Sequence, residues 1–222
     1  IIAISATFVV TLGEIDLSFP SIVGITSLTF GMLLTSTDGN FFISFALATA
    51  LGMFAGLVNG LLVTKIGIPS IVATIGTLFF WRGLVNVISQ GSGIAIVDEA
   101  DGTWHHMIFV DKLFNLIPAQ FIWFVVLTGL MQWVYRYHKF GNHIHFVGDN
   151  KASAQMMGIN VDRVKIIAFV QLGFFSSLAG IFTMYEMLYF WPTQGSGLML
   201  TTLAAVFVGG TSVFEGKGTV YG

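Results

Sequence analysis

The 222-residue sequence predicts an all-α, polytopic integral membrane protein. Only 9% of its residues are charged and 55% are hydrophobic, whereas soluble domains carry about 25% charged residues. Apolar runs of about 20 residues, the length that crosses a ~30 Å hydrocarbon core as a helix, recur along the chain. Five of the nine Lys and Arg residues (Arg136, Lys139, Lys151, Arg163 and Lys165) fall between positions 136 and 165, against only Asp149 and Asp162. Such a bias marks a cytoplasmic segment. The net charge of -2 offers no basic surface for nucleic acid. The absence of cysteine excludes a disulfide framework, a Cys-ligated zinc and an iron–sulfur cluster. The 26 glycines and 22 phenylalanines suit closely packed helices with bulky rings toward lipid.

The apolar run from Ile1 to Leu12 is too short to cross a membrane, and it begins without Met. We therefore expect a chain truncated at one or both ends. The run breaks at Gly13-Glu14-Ile15-Asp16, and Ser18 with Pro20 signals a new helix start that continues to Leu34. Phe41 to Thr64 is the clearest full span, followed by a turn at Ile66–Ser70 and a span from Ile71 to Ser89. Residues 90–118 form a polar linker in which Asp98, Glu99, Asp101 and Asp111 oppose Lys112. Spans are expected again over Ala119–Val134 and Ile166–Leu188, with Tyr185, Tyr189, Phe190 and Trp191 as an interfacial aromatic belt. A last apolar run covers Leu198–Val208. One transmembrane domain over 1–222 is expected, with a cytoplasmic loop at 136–165 and an extracytoplasmic loop at 90–118. The alternation closes with Lys65 inside: six Lys and Arg residues then lie inside (Lys65 and the five above), against one, Lys112, in the 90–118 loop.

Within the spans, Gly52, Gly56 and Gly60 give GxxxG twice over. The face fits close helix packing, and the same smooth face could line a pathway beside Asn59. Glu14 and Asp16 interrupt an apolar region, where carboxylates are costly and face a cavity or a partner. Asp16 is better explained as a cap of the following helix. Glu14 has no such role and is the stronger functional candidate. For Arg82 we rank snorkelling to the outer surface first, pairing with an acid second and donation to a polar solute third. Asn86 and Gln90 extend its stripe. The candidate pathway set is therefore Glu14, Asp16, Asn59, Arg82 and Asn86, and Glu186 is expected to be solvated at the outer surface.

His105, His106, His138, His143 and His145 lack HExxH spacing and read as ordinary loop residues, so no metal site is expected. Residues Gly210–Thr219 fail the phosphate-loop pattern because five residues follow Gly210 before Gly216-Lys217 and Gly218 takes the hydroxyl position. In the basic segment, Asp149 or Asn150 can cap a short helix over Lys151–Met157, ended by Gly158 in a left-handed conformation. Asn160 caps the next helix with Asp162 in its first turn. A helix so short must dock on something, and Met156 and Met157 offer adaptable apolar contacts.

GEIDLS (13–18), NGLLVTKIGIPSIVATIGT (59–77), WRGL (81–84), FGNHIHFVGDNKASAQMMGINVDRVK (140–165) and VGGTSVFEGKGT (208–219) together resemble the permease subunits of bacterial monosaccharide ATP-binding cassette importers of the ribose, xylose, galactose and arabinose type. GEIDLS is more similar to the xylose-type variant than to the GGIDLS of ribose-type members. The resemblance implies a transmembrane domain of the bacterial inner membrane that works as two permease copies embedded in lipid, with a cytoplasmic ATPase and a periplasmic sugar-binding protein. It implies no cofactor on this chain, with ATP and Mg held by the partner ATPase. Ala154 and Gly158 match the family's Ala-x-x-x-Gly coupling segment, while Lys151-Ala152-Ser153 stands in place of Glu-Ala-Ala. The expected ATPase-coupling residues are Asp149, Asn150, Ala154, Met156, Gly158, Asn160, Asp162 and Arg163. The alternative reading is an ion-coupled secondary transporter in which Glu14 and Asp16 bind the ion. An enzyme is third, since no nucleophile–base set or metal motif is present.

Overall fold

The computed structural model describes residues 1–113, 116–213 and 216–221. Eleven helices occur among them: α1 (Ile2–Thr11), α2 (Phe19–Ser36), α3 (Phe41–Leu61, prolonged by a π-turn over Leu62–Ile66), α4 (Ser70–Ser89), the short α5 (Val97–Ala100) and α6 (Trp104–Phe109), α7 (Ala119–Tyr137), α8 (Lys139–Asp149), α9 (Lys151–Met156), α10 (Val161–Met187) and α11 (Leu198–Val208). Two tiny antiparallel ladders join β1 (Ile94–Ala95) to β4 (Tyr189–Phe190), and β2 (Lys112–Leu113) to β3 (Ile117–Pro118). The segments 19–36, 41–66, 70–89 and 161–187 are long and apolar enough to cross a membrane.

α10 is the axis of the bundle. At 1.5 Å per residue its 27 residues extend about 40 Å, and its widest contacts are with α3 and then α2. Glycine makes that approach possible. A methyl group on Gly52 would come within 2.6 Å of the Gly173 carbonyl oxygen, and one on Gly60 within 2.9 Å of the Ile166 Cα. On Gly56 it would overlap the Phe169 carbonyl. The GxxxG face is thus filled by α10 and does not line a path. α4 lies at the other extreme: it exposes Val72, Phe79, Phe80 and Val87, a side chain set suited to lipid or to another protein chain.

The two ends of the bundle differ in charge. At one end, residues 97–109 fold back over the helices; at the other lie Lys65, α8 and α9. α7 runs between them, with Trp123 Nε1 donating to the Ile108 carbonyl (2.9 Å) near its start and Tyr135 bonded to Thr11 (2.7 Å) near its finish. We refer to these as the acidic and basic ends.

The structure corrects two expectations from sequence. Residues 136–165 are mostly helix, not loop: α8 buries Gly141, Ile144 and Val147 against α1, α7 and α10. With the half-buried Phe140, the 140/144/147 apolar spacing is a helical stripe that the density of His and Lys conceals. The aromatic belt is also wrong for two of its four members. Tyr185 and Phe190 are fully buried: residues 97–109 cover Tyr185, and Phe190 pairs with Ile94 in the β1–β4 ladder. Tyr185 packs edge-on against Phe30 and contacts Phe109 and His105, whose Nδ1 lies 2.9 Å from its hydroxyl.

Candidate functional site

The chain leaves regular structure twice where it lies packed among spanning helices. The first break, Leu12 to Ser18, separates the 10-residue α1 from α2. The second, Trp191 to Gly197, separates β4 from the 11-residue α11. Non-helical backbone at membrane depth needs internal partners for its freed N–H and C=O groups, and each break finds them differently.

At the first break, side chains supply the partners. Asp16 Oδ1 accepts from the Ser18 backbone N–H (2.6 Å) and the Ser18 hydroxyl (2.7 Å), which fixes the N-cap position of α2. Asn59, fully buried on α3, donates to Asp16 Oδ2 (3.0 Å) and to Ser18 Oγ (2.7 Å), and its own carbonyl accepts from Thr77 of α4 (2.7 Å). The Leu17 and Ile15 N–H groups are taken by Thr74 Oγ1 (3.1 Å) and Ser70 Oγ (3.2 Å). Glu14, 7% exposed, turns away from this network toward the basic end. Its Oε1 accepts from Lys165 Nζ and lies 3.5 Å from Lys151 Nζ.

At the second break a single cation does the work. Arg82 Nη1 donates to the carbonyls of Pro192 (2.8 Å) and Gln194 (3.0 Å), and Nη2 to that of Pro20 (3.1 Å). A guanidinium is suited to this because its planar fork serves several acceptors at once. Gln194 also donates to Ser27 Oγ (3.0 Å), which in turn donates to the Gly180 carbonyl (2.8 Å). Beside Arg82 opens a cleft of about 440 Å³, walled by Pro20 and Ser21 of α2, Phe79 and Asn86 of α4, and Thr193 and Ser196 of the break. The Ser21 hydroxyl on this wall is buried and has no protein partner.

The candidate pathway residues therefore separate into two places. Arg82 and Asn86 line the cleft; Glu14, Asp16 and Asn59 do not. Arg82 neither snorkels nor pairs with an acid, because backbone carbonyls of the second break and of Pro20 in α2 take its donors. No sequence motif signals such acceptors. Gln194, Thr74, Thr77 and Lys165 join these networks although sequence reasoning missed all four. Lys165 stands 151 residues from Glu14, so only the polarity of a lysine one turn into a span hinted at a partner.

At the basic end, Asn150 Oδ1 accepts from Ser153 N–H (3.0 Å) to start α9, and Gly158, at φ +79°, ends it. Asn160 Oδ1 accepts from Arg163 N–H (3.0 Å) at the start of α10. Asp149 is the last residue of α8 rather than the cap of α9. Asp162 pairs with Lys65 (2.9 Å), and Arg163 is exposed. Ala154 is 1% exposed and anchors α9 to the bundle, whereas Met156 is 89% and Met157 61% exposed. The histidines serve locally: His138 caps Phe140 N–H (3.2 Å), and His145 Nδ1 bonds the Gly216 carbonyl (2.8 Å). Phe214 and Glu215 of the 208–219 motif lie outside the described residues.

Residues 1–222 match the protein family described as "Branched-chain amino acid transport system / permease component". The chain is similar to the autoinducer 2 import system permease protein LsrC of Photorhabdus luminescens, 35% identical over 100% of this chain and 65% of that protein. It is also similar to the proteins of that name from Yersinia pseudotuberculosis (strain YPIII) and Yersinia pestis (strain Pestoides F), each 35% identical over 100% of this chain and 62% of the relative. The chain thus spans a little under two thirds of the length of these relatives. No solved structure matches it.

Proposed function

The chain belongs to this family of transport-system permease components, and from that premise we propose that it is the membrane subunit of an ATP-binding cassette importer for a small, neutral, hydroxyl-bearing solute of the monosaccharide type. It is a multi-pass protein of the bacterial inner membrane. The observation that carries the proposal is α9: a six-residue helix, capped and terminated by its own sequence, that presents Met156 and Met157 outward beyond the bundle. A helix of that length is marginal alone, and its exposed apolar tip suits insertion into a groove on a cytoplasmic ATPase. ATP and Mg belong to that ATPase. A second permease copy and a periplasmic binding protein complete the assembly, and the exposed apolar side chains of α4 give the copy or lipid a surface to cover.

The solute class follows from the cleft. Its volume lies within the ~300–1,000 Å³ of small-molecule sites, and its polar groups are hydroxyls, an amide and the Arg82 region. Among the described lining residues there is no carboxylate, so the ammonium group of an amino acid would find no counter-charge. Neutral hydroxyls would find Asn86, Thr193 and Ser196, with the Ser21 hydroxyl buried behind that wall. The family description mentions branched-chain amino acids and the relatives' names mention autoinducer 2; the cleft chemistry favours an uncharged polyol over an amino acid, and only the GEIDLS resemblance puts a xylose-like sugar first among monosaccharides. The alternative of an ion-coupled transporter loses its footing in the geometry, since Glu14 is held by two lysines and Asp16 by Ser18 and Asn59.

Reconstitution tests the proposal. The permease with its ATPase and binding protein should take up radiolabelled D-xylose or D-ribose only with ATP, while the permease alone should not. Gly158→Val places a β-branched residue at positive φ in otherwise open space. The variant should insert normally yet lose solute-stimulated ATP hydrolysis. Unimpaired coupling in that variant would remove the role of α9. ATP-independent uptake by the permease alone would restore the secondary-transporter reading.

A further inference from the structure

Glu14 occupies a position that transport of solute does not explain. It projects from the first break to the basic end, and its one oxygen serves two ammonium groups on either side of α9. Lys151 is the first residue of α9, and Lys165 is the fifth residue of α10, beyond the Gly158 turn. Two residues along the chain, Asp16 begins the hydrogen-bonded path through Asn59 to Thr77 of α4, whose later turns carry Arg82 and Asn86 into the cleft. Two sets of polar contacts, one from α9 to Glu14 and one from Asp16 to α4, are therefore joined by the two-residue stretch of backbone between Glu14 and Asp16 in the first break.

The two lysines are not equivalent. The Lys165 side chain is 10% exposed and the Lys151 side chain 56%. Withdrawing Lys165 from Glu14 would strand a buried cation, a large penalty. Lys151 can leave the carboxylate and be solvated at once, at the small cost typical of exposed pairs. The first contact is a fixed anchor and the second a separable tie. Buried ion pairs contribute little net stability compared with apolar packing, so stability alone gives little reason to hold three charged groups here.

We propose that Glu14 is a positioning residue for energy coupling: anchored by Lys165, it is drawn or released by Lys151 as α9 moves, and it transmits that movement through the α1–α2 break to the cleft. This rests on the importer reading above.

The test uses the absence of cysteine from these 222 residues, with any cysteine elsewhere in the transporter replaced by serine. In the complete transporter with its ATPase, Asn86→Cys reports on the cleft through its rate of modification by a membrane-impermeant maleimide. In the parent background, adding ATP and Mg should change that rate at least about fivefold, a conventional allosteric coupling. In Lys151→Met the ATP response should vanish with the ATPase still bound, and Lys151→Arg should restore it. The double variant Glu14→Met/Lys165→Met, which removes the buried pair as a unit, should also be unresponsive; should it fail to assemble, the half-exposed Lys151 variants decide the matter. A merely structural role would lower the amount of complex without making it insensitive to ATP. A full ATP response in Lys151→Met, or none in Lys151→Arg, overturns the proposal while leaving the importer reading intact. A parent whose cleft never responds to ATP overturns both.

Discussion

The two breaks solve one physical problem in opposite ways. Both free backbone groups where water is scarce. The first distributes its partners over Asp16, Ser18, Asn59, Ser70, Thr74 and Thr77, on three separate elements. The second relies on Arg82 for two of its carbonyls, those of Pro192 and Gln194, is tied by the same guanidinium to the Pro20 carbonyl of α2, and sits against an open cleft. A distributed network survives the loss of a member and can shift as a body, which suits a joint. A break hung on one cation beside an unpartnered hydroxyl is free to change partners, which suits a solute-contacting wall.

The sharpest way to break this comparison is Arg82→Met. It should leave three carbonyls without their donor at about 1–3 kcal/mol each and destabilise the protein more than any substitution in the first break. In detergent, a fall of the unfolding midpoint by several degrees, at about 2–4 °C per kcal/mol for a chain of this size, should accompany loss of uptake. Arg82→Lys should recover only part, since one ammonium lacks the fork. A midpoint within about a degree of wild type for Arg82→Met, less than the shift from a single kcal/mol, would show that the second break holds itself.

Asn59→Leu attacks the centre of the first break, freeing Asp16 Oδ2, Ser18 Oγ and Thr77 Oγ1 from one partner. Because Asp16 keeps both contacts from Ser18, the expected loss is about 2–3 kcal/mol, below that of Arg82→Met. Thr77→Val removes a single hydroxyl, which donates to Asn59 Oδ1 and at longer range to the Thr74 carbonyl, and should cost about 1 kcal/mol. If Thr77→Val rivals Asn59→Leu in the same unfolding assay, the network is not distributed and the contrast fails.

The smallest effect concerns pH at the acidic end, above the second break. Burial among aromatic rings, then the neighbouring His106, lowers the affinity of His105 for a proton below its ordinary value of 6.5. The folded state thus binds fewer protons than the unfolded one, and its advantage is complete above pH 6.5 and lost as pH falls below it. Protection factors in residues 97–109, taken relative to the intrinsic exchange rate at each pH, should fall as pH drops from about 7 to about 5.5, while those of residues 14–18 do not change. His105→Gln should flatten the dependence.

Much of the fold was legible because membrane helices are written in long apolar runs: α2, α3, α4 and α10 begin and end within a few residues of their apolar boundaries. Asn150, Gly158 and Asn160 were equally readable, since caps act on neighbours in sequence. α8 was hidden because its apolar stripe is interrupted by histidines and glycines. The tie between Glu14 and Lys165 spans 151 residues, and backbone carbonyls, the acceptors of Arg82, are present at every position and so mark none. Tyr185 looked interfacial because aromatic composition does not reveal that residues 97–109 will cover it.

Both breaks can play these parts only if the basic end faces the ATPase and the covering segment 97–109 faces the opposite side, and sided labelling tests that most directly. In the cysteine-free chain, Met156→Cys on α9 and Val97→Cys at the acidic end both replace exposed residues. A membrane-impermeant maleimide should label Val97→Cys in intact spheroplasts and Met156→Cys only in inverted vesicles. Labelling of Met156→Cys from the outside, with Val97→Cys reached only from within, would contradict the orientation and with it the assignment of both breaks.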